Sequence, residues 1–232
     1  MSSVDLTPLD RQVWNMLHGR LARHAQGTVL AKRIAPELGP FASARDMGEE
    51  ALADLASLFD GADDRLWLVE TEAWPAPPGC RVERRREVLQ MVADDEARSY
   101  EGDPDIVRLG EIEAEEMAAI ALATEPGPWG RKTHLYGAFY GIRIDGRLAA
   151  MAGERMLPAP HLAEISGVCT WPEFRGQGLA RRLIAQVMAG QRARGEVPYL
   201  HSYAENAGAI ALYESLGFRP RRKMVVTVLE RA

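Results

Sequence analysis

The 232-residue sequence has few cysteines, no long apolar run and no excess of basic charge. Cys80 and Cys169 are far apart and lack the spacing of a metal site, which argues against a disulfide scaffold and predicts a cytoplasmic protein. The N-terminal segment shows no signal pattern, and no stretch approaches membrane-spanning length. The net charge of −5 argues against nucleic acid or an anionic membrane as the main partner.

Motifs for metal ions and for common nucleotides are also missing. The five histidines show no H-x-x-x-H or similar spacing, so no metal site is predicted. No run fits the P-loop pattern G-x-x-x-x-G-K-S/T. A dinucleotide fingerprint would need a third glycine at the position of Arg181, which makes a Rossmann oxidoreductase a weak alternative.

Basic residues occur in two short clusters, "RVERRREV" (81–88) and "RPRRK" (219–223). Runs of this length are usually solvated faces of a strand or helix. A solvated face is therefore the interpretation favoured for both clusters, and a site for a polyanion is the alternative.

The pattern of predicted elements is clearest in the second half of the chain. Asp145-Gly146, between two alternating apolar runs, predicts a β-hairpin over 139–156. The other predicted elements are strands at 65–70, 106–110, 163–171, 198–204 and 222–230, helices at 9–25, 48–59, 111–125, 179–194 and 206–217, and a strand or an extended segment leading into a short helix at 80–94. The order of these elements predicts a mixed sheet with helices packed on it.

A junction is predicted at "SYEGDPD" (99–105), where breaking residues cluster. It divides the chain into an N-terminal α/β region over 1–103 and a second domain over 104–232. The N-terminal region is expected either to close one side of a substrate cleft or to mediate formation of a homodimer.

The stretch "PEFRGQGLARRL" (172–183) places Gly176 and Gly178 where a helix is predicted to begin. A helix N-terminus has unpaired N–H groups and a partial positive charge. Glycines remove the Cβ atoms that would keep a phosphate away from these donors, and Arg175, with Arg181 or Arg182, adds full charge. Taken alone, the motif is equally compatible with a glycine-rich turn that binds nothing.

Within this stretch, "RGQGLA" (175–180) fits R-x-x-G-x-G/A and resembles the coenzyme A pyrophosphate loop of the GNAT N-acetyltransferase superfamily. Downstream, "NAGAIALYESLGF" (206–218) resembles the N-x-x-A-x-x-L-Y-x-x-x-G-F helix of that family. The resemblance covers about residues 104–230. It implies an α/β (α+β) fold with a mixed, mostly antiparallel twisted sheet flanked by helices, and acetyl-CoA as co-substrate without a metal.

The resemblance also implies which residues bind acetyl-CoA. The backbone of Val168, Cys169 and Thr170 would polarise the thioester carbonyl, because this strand splays from the next one in the family. Asn206 would contact the pantetheine arm or cap its own helix. The implied pyrophosphate contacts are Arg175, Gly176, Gln177, Gly178, Leu179, Ala180 and Arg181. Strict alternation along the strand further predicts Glu164, Ser166, Val168 and Thr170 on one face and Cys169, buried, on the other.

Two residues are predicted to move protons. By resemblance Glu164 is the base that deprotonates the amine, with a pKa expected to be raised in a partly apolar cleft. An ion pair with an arginine is the alternative role for Glu164, and His201 is a second, weaker candidate base. Tyr213 corresponds to the tyrosine that protonates the departing thiolate, and simple packing is its alternative role.

The resulting hypothesis is an N-acetyltransferase that transfers an acetyl group from acetyl-CoA to a primary amine by direct attack, through a tetrahedral intermediate. The acceptor is a small molecule or a peptide, and the loop over 126–137 is expected to select it. The alternative hypothesis is a non-catalytic acyl-CoA-binding sensor or partner module.

Overall fold

A computed structural model describes residues 4–94 and 100–232. Its strands are β1 (Ala25–Gly27), β2 (Ala31–Ile34), β3 (Ala42–Ala44), β4 (Leu66–Glu70), β5 (Cys80–Ala93), β6 (Ile106–Leu109), β7 (Phe139–Ile144), β8 (Arg147–Glu154), β9 (Leu162–Thr170), β10 (Val197–Tyr203) and β11 (Phe218–Arg231). Its helices are α1 (Gln12–His18), α2 (Glu49–Ser57), α3 (Ala114–Thr124), α4 (Leu179–Ala193) and α5 (Ala207–Ser215). Among these residues, no helix has both the length and the apolar character needed to cross a membrane.

The main sheet has eight strands in the order β4-β11-β5-β10-β9-β8-β7-β6. Its neighbours are antiparallel except β9 and β10, which are parallel. This confirms the predicted mixed, mostly antiparallel sheet. The hairpin between β7 and β8 turns at Asp145 and Gly146, which have positive φ angles of 50° and 80°. Short polar residues and glycine tolerate that conformation, so the turn follows from local sequence.

Helices α3 and α4 cover opposite faces of this sheet. The apolar side of α4, with Leu183, Ile184 and Val187, packs with Ile165 of β9 in one cluster. The buried residues of α3 instead pack with Cys169 in another cluster. This arrangement leaves β9 buried between two helices, at the centre of the molecule.

The N-terminal region contributes directly to the same sheet. Strand β5 lies between β11 and β10, and β4 forms the edge beyond β11. The strands before and after the predicted junction at 99–105 therefore belong to one continuous sheet. Residue 99 of that junction lies outside the described residues. Helix α1 packs Val13 and Leu17 into the same cluster as Val226 and Tyr199.

Some predicted elements differ from the observed ones. The segment at 80–94 forms one 14-residue strand and no helix. Of the helix predicted at 9–25, only α1 is α-helical, and a short 3-10 helix lies on each side of it. The charged run in β5 conceals the alternation of a strand, and Gly19 leaves helical geometry directly after α1. The small sheet β1-β2-β3 was not predicted, because its strands have only three or four residues.

Candidate active site

The glycine loop before α4 is shaped to admit a ligand. Gly176 and Gly178 have positive φ angles of 78° and 74°, and a Cβ atom built on either would meet nothing within 4 Å. The first helical hydrogen bond of α4 runs from the Arg182 amide to the Gly178 carbonyl at 3.2 Å. The amides of Leu179 and Ala180 precede that bond, so the helix start presents donors to the open space above the glycines.

The arginines around this loop have different environments. Arg175 is exposed, and its Nε donates to the Thr170 carbonyl at 3.3 Å, which holds the guanidinium beside the loop. Arg181 donates to Ser215 Oγ at 2.6 Å, on the side of α5. Arg182 instead forms ion pairs at 2.6 Å with Asp103 and with Asp105, which neutralise its charge.

The parallel strands β9 and β10 separate after a short paired segment. Their register runs from Leu162↔Val197 to Glu164↔Tyr199 and ends there. Beyond this point β9 continues to Thr170 while paired with β8, and β10 continues to Tyr203 while paired with β5. A wedge therefore opens inside the sheet, and one edge of β9 faces it, as the resemblance implied.

A β-bulge at Gly167 interrupts β9 within this wedge. Register shifts there by one residue against β8, and Gly167 has a φ of +61°. A Cβ atom on Gly167 would lie 2.9 Å from Phe139 and 3.2 Å from Trp129, so only glycine fits. The predicted strict alternation is therefore wrong, because Val168 packs in the same cluster as Ile165 although the two are three residues apart.

Cys169 is buried on the α3 side of β9, as expected for a packing residue. Burial raises the pKa of its thiol to about 12, so the side chain stays protonated at neutral pH. Any contact of Cys169 with a thioester would involve its backbone rather than its sulfur.

One cavity of about 720 Å³ connects the glycine loop with the N-terminal region. At one end its wall includes Arg175, Gly176, Ala180 and Asn206, and Tyr213 lies along the same cavity. On the side of the N-terminal region the lining residues are Gln12, Phe41, Trp67, Val69 and Val88, and further lining residues are Arg155, Met156, Glu164, His201, Tyr203 and Val226. The cavity therefore passes through the wedge between β9 and β10.

Glu164 lies at the closed end of the wedge with both carboxylate oxygens engaged. Oε1 is 2.8 Å from His201 Nδ1, and Oε2 accepts from Arg155 Nε and from the Met156 amide, each at 3.2 Å. Burial acts to raise the pKa of this carboxyl, but the charge of Arg155 and the hydrogen bond from His201 outweigh burial and lower the pKa to about 2. The expected raised pKa is wrong, and the ion pair with an arginine is the arrangement found.

His201 connects this carboxylate to the cavity. Its Nδ1 faces Glu164, and its Nε2 lies 3.1 Å from the side-chain nitrogen of Gln12 and 3.3 Å from that of Gln90. Since amide nitrogens donate, Nε2 carries the lone pair and Nδ1 carries the proton. The ring is thus held with its basic nitrogen toward a residue of the cavity wall.

Glu164 is expected to make the free energy of unfolding depend on pH in the acid range. Its pKa is about 2 in the folded protein, compared with 4.5 for an ordinary glutamate, so its contribution to stability is present above about pH 4.5 and is lost as pH falls through about 2. The loss amounts to about 3 kcal/mol in the free energy of unfolding. Urea denaturation at a series of pH values measures it, and Glu164→Gln should flatten the curve in this window.

Glu173→Gln serves as the control for that measurement. Glu173 pairs with Arg147 at 2.5 Å, and each side chain is 48% exposed. Exposed pairs contribute little, so this variant should keep the wild-type acid dependence. Equal slopes in Glu164→Gln and wild type would contradict the lowered pKa.

Tyr213 lies in α5 and is 9% exposed, packed edge-to-face against Phe218 with ring centroids 6.2 Å apart. Burial, followed by the influence of Cys169, raises the pKa of its phenol to about 12, so the proton is retained at neutral pH. Asn206 caps the same helix, because its Oδ1 accepts from the Ala209 amide at 3.1 Å. Both residues line the cavity.

The sequence did not predict that Gln12, Phe41, Trp67 and Arg155 line this cavity. Three of them come from the N-terminal region, and no local motif marks them. Arg155 could have been predicted as a neighbour of Glu164 once β8 and β9 are paired. Extending their register by one residue places Arg155 opposite Glu164. Within residues 4–94 and 100–232, no group of three or more His, Cys, Asp or Glu side chains could hold a metal ion.

Comparison with known proteins defines the class of this fold and site. The model of the acetyltransferase (GNAT) family matches residues 91–218, more than half of the chain. The chain belongs to this family, and the predicted resemblance is confirmed.

Curated relatives match only in part. A protein of Mycobacterium tuberculosis H37Rv, N-alpha-acetyltransferase RimI, is 35% identical over 83 residues, which are 35% of this chain and 51% of the relative. A ribosomal protein bS18-alanine N-acetyltransferase of Salmonella typhimurium LT2 is 34% identical over 102 residues, which are 39% of this chain and 64% of that protein. The chain thus spans about half to two thirds of the length of these relatives.

Solved structures match over the full length. A crystal structure of a GNAT-family protein from Novosphingobium aromaticivorans DSM 12444 is 59% identical, with a TM-score of 0.92, and the match covers 97% of this chain and 99% of that one. A GCN5-related N-acetyltransferase from Kribbella flavida, 21% identical with a TM-score of 0.63, covers 99% and 96% and shows the shared fold. The N-terminal region therefore has a counterpart in a close relative.

Proposed function

We propose that this protein transfers an acetyl group from acetyl-CoA to a primary amine. The observation that carries the proposal is the cavity of about 720 Å³ that is lined both by the open glycine loop before α4 and by the buried Glu164–His201 pair. Membership of the GNAT family supports it. The free thiols of Cys80 and Cys169 agree with action in the cytoplasm.

The glycine loop suits the pyrophosphate of coenzyme A. Positive φ angles and open space at Gly176 and Gly178 leave room for phosphate oxygens next to the amides that begin α4. Arg175 adds a full positive charge at the same place. Acetyl-CoA supplies the thioester at whose carbonyl carbon the amine attacks.

The open edge of β9 suits the carbonyl of that thioester. Backbone amides between Val168 and Thr170 lie where β9 has separated from β10 and has bulged at Gly167. Fixed donors aimed at a developing oxyanion stabilise it by about 2.7–4 kcal/mol. Their rigid placement in a strand requires no rearrangement during the reaction.

His201 is proposed as the base, with Glu164 as a positioning residue. The lone pair of His201 Nε2 faces Gln12 in the cavity wall, and an incoming amine N–H can replace that amide as donor. As the new C–N bond forms, the amine proton passes to Nε2. The carboxylate of Glu164, 2.8 Å from Nδ1, stabilises the resulting imidazolium.

Tyr213 is proposed as the acid for the departing thiolate. When the C–S bond breaks, the sulfur takes its electron pair and needs a proton. A phenol with a pKa of about 12 retains its proton until that moment. Tyr213 lines the same cavity as Val168, Cys169 and Thr170, which supports this role.

The test is a panel of primary amines with acetyl-CoA, scored by release of free thiol, together with a thermal-shift titration of acetyl-CoA. We expect wild type to be stabilised by acetyl-CoA and to acetylate at least one amine. Gly178→Val should lose the stabilisation, because its side chain enters the phosphate space and a β-branched residue is strained at a φ of +74°.

Gly195→Val is the matched control, since Gly195 has the same φ of +74° and open space, but lies just beyond the other end of α4. It should suffer similar strain and still bind acetyl-CoA. Binding of acetyl-CoA without turnover of any amine would instead support a non-catalytic sensor, and no binding at all would overturn the proposal.

A further inference from the structure

The two basic clusters found in the sequence lie on neighbouring strands. Strands β5 and β11 are antiparallel, with Val88 opposite Met224 and Arg86 opposite Val226. Residues 81–88 therefore lie opposite 224–230, and residues 219–223 lie opposite 89–92, so the two clusters are diagonal to one another on the half of the sheet that contributes Val88 and Val226 to the cavity. The function proposed above does not use them.

Most of these basic side chains are already paired. Arg81 binds Glu230 at 2.5 Å, and Lys223 binds Glu87 at 2.9 Å. Arg221 and Arg222 both bind Asp10, at 2.7 and 3.0 Å. These residues are neutralised by carboxylates, and all of them except the half-buried Arg221 lie on the solvated faces that the sequence favoured.

Arg84 and Arg86 differ because both stack on aromatic walls of the cavity. The Arg84 guanidinium lies 5.3 Å from the centre of the Trp67 ring, and that of Arg86 lies 5.3 Å from the centre of the Tyr203 ring. Both arginines are exposed, and both rings line the cavity. Two residues apart on one strand, their Cα atoms are separated by about 7 Å.

The charge of these two arginines is weakly compensated. In the part of the chain that the structure describes, no carboxylate lies within ion-pair distance of Arg84. Arg86 is 3.2 Å from Glu205, with side chains 50% and 66% exposed. Such an exposed pair contributes little and can be replaced by another anion.

Apolar side chains line the cavity between these two rings and His201. They are Phe41, Val69, Val88 and Val226, and the charge of the nearby Arg155 is paired with Glu164. The lining thus includes the polar pair Glu164–His201, the apolar side chains, and the Trp67 and Tyr203 rings on which Arg84 and Arg86 stack.

We propose, on the basis of the acetyltransferase function above, that the acceptor is an amine whose apolar body ends in an anionic group. The amine lies at His201, the apolar body contacts Trp67 and the valines, and the anion binds Arg84 and Arg86. Guanidinium groups bind carboxylates and phosphates through charge-assisted hydrogen bonds, which suits this terminal group.

The test compares amines that differ only in terminal charge. The first pair is 4-(2-aminoethyl)benzoate and 4-(2-aminoethyl)benzamide, and the longer pair is 8-aminooctanoate and 8-aminooctanamide. We expect kcat/KM for the acid to exceed that for the amide by about tenfold or more in at least one pair. The preference should fall as salt is raised from about 0.05 to about 0.5 M, because salt screens exposed charges.

The variant Arg84→Gln/Arg86→Gln keeps much of the apolar stems over the rings and removes both charges. It should reduce the acid-to-amide ratio to near one, because kcat/KM for the acids falls far more than kcat/KM for the amides. The matched control is Arg81→Gln/Arg85→Gln, which removes the same charge from the same strand. Arg85 donates to the Trp74 carbonyl at 2.7 Å rather than facing the cavity, so the control should keep the preference.

Equal turnover of acids and amides by wild type, or a preference that survives in Arg84→Gln/Arg86→Gln, would overturn this inference and leave the acetyltransferase function intact. If wild type acetylates other primary amines but none of these four compounds, this inference is overturned and the acetyltransferase function still stands. Failure of acetyl-CoA to bind would overturn both proposals.

Discussion

Replacing His201 with glutamine is expected to lower kcat by about 100- to 10,000-fold, the range that general base catalysis supplies. Glutamine retains hydrogen-bonding capacity and similar bulk but cannot accept a proton at neutral pH. Binding of acetyl-CoA should be unchanged, because His201 lies on β10 and is not part of the glycine loop before α4. Steady-state kinetics with a thermal-shift titration of acetyl-CoA measure both quantities.

His161→Gln is the control for this substitution. His161 bonds to the Asp5 carbonyl at 2.7 Å and does not line the cavity, so its variant should retain full activity. Glu164→Gln separates the two candidate bases, because a positioning residue should matter less than the base itself. Full loss in Glu164→Gln with substantial activity in His201→Gln would assign the base to Glu164 instead.

The second large effect is expected for Tyr213→Phe, with kcat lowered by about 100-fold or more through loss of a general acid. Phenylalanine keeps the edge-to-face contact with Phe218, so the fold and the KM for acetyl-CoA should change little. Single-turnover kinetics at saturating acetyl-CoA isolate the chemical step.

Tyr140→Phe is the matched control, since Tyr140 lies on β7 and its hydroxyl accepts from Arg108 at 3.5 Å, outside the cavity. It should leave turnover unchanged. Unchanged turnover in Tyr213→Phe would remove Tyr213 from the mechanism and reduce it to a packing residue.

Local features were predictable where a short stretch contains its own cause. The hairpin at Asp145-Gly146 depends on two residues that tolerate positive φ, and the start of α4 depends on the glycines beside it. The helical spacing of the residues after the glycines predicted the helix over 179–194, which is α4. The segment at 80–94 was ambiguous because its local sequence lacks such a signal. The charged residues 83–87 show no alternation of apolar and polar residues.

Features that depend on distant neighbours were not predictable. The bulge at Gly167 is enforced by Phe139 and Trp129, which approach from other parts of the chain. Glu164 was expected to have a raised pKa, as burial alone dictates, but Arg155, which follows β8, and His201 of β10 lower that pKa instead. Electrostatic energies depend on separation in space, and no local pattern contains that separation.

The sequence alone determined the donor side of this protein. Amide groups at a helix start, glycines and an adjacent arginine act within a few residues, so the loop over 175–180 and the helix over 206–218 were enough to identify the family. Only the tertiary structure decided the part of the cavity that we propose for the acceptor. Its lining comes from segments that include α1, β4, β5, β10 and β11, and it exists only once those segments pack together.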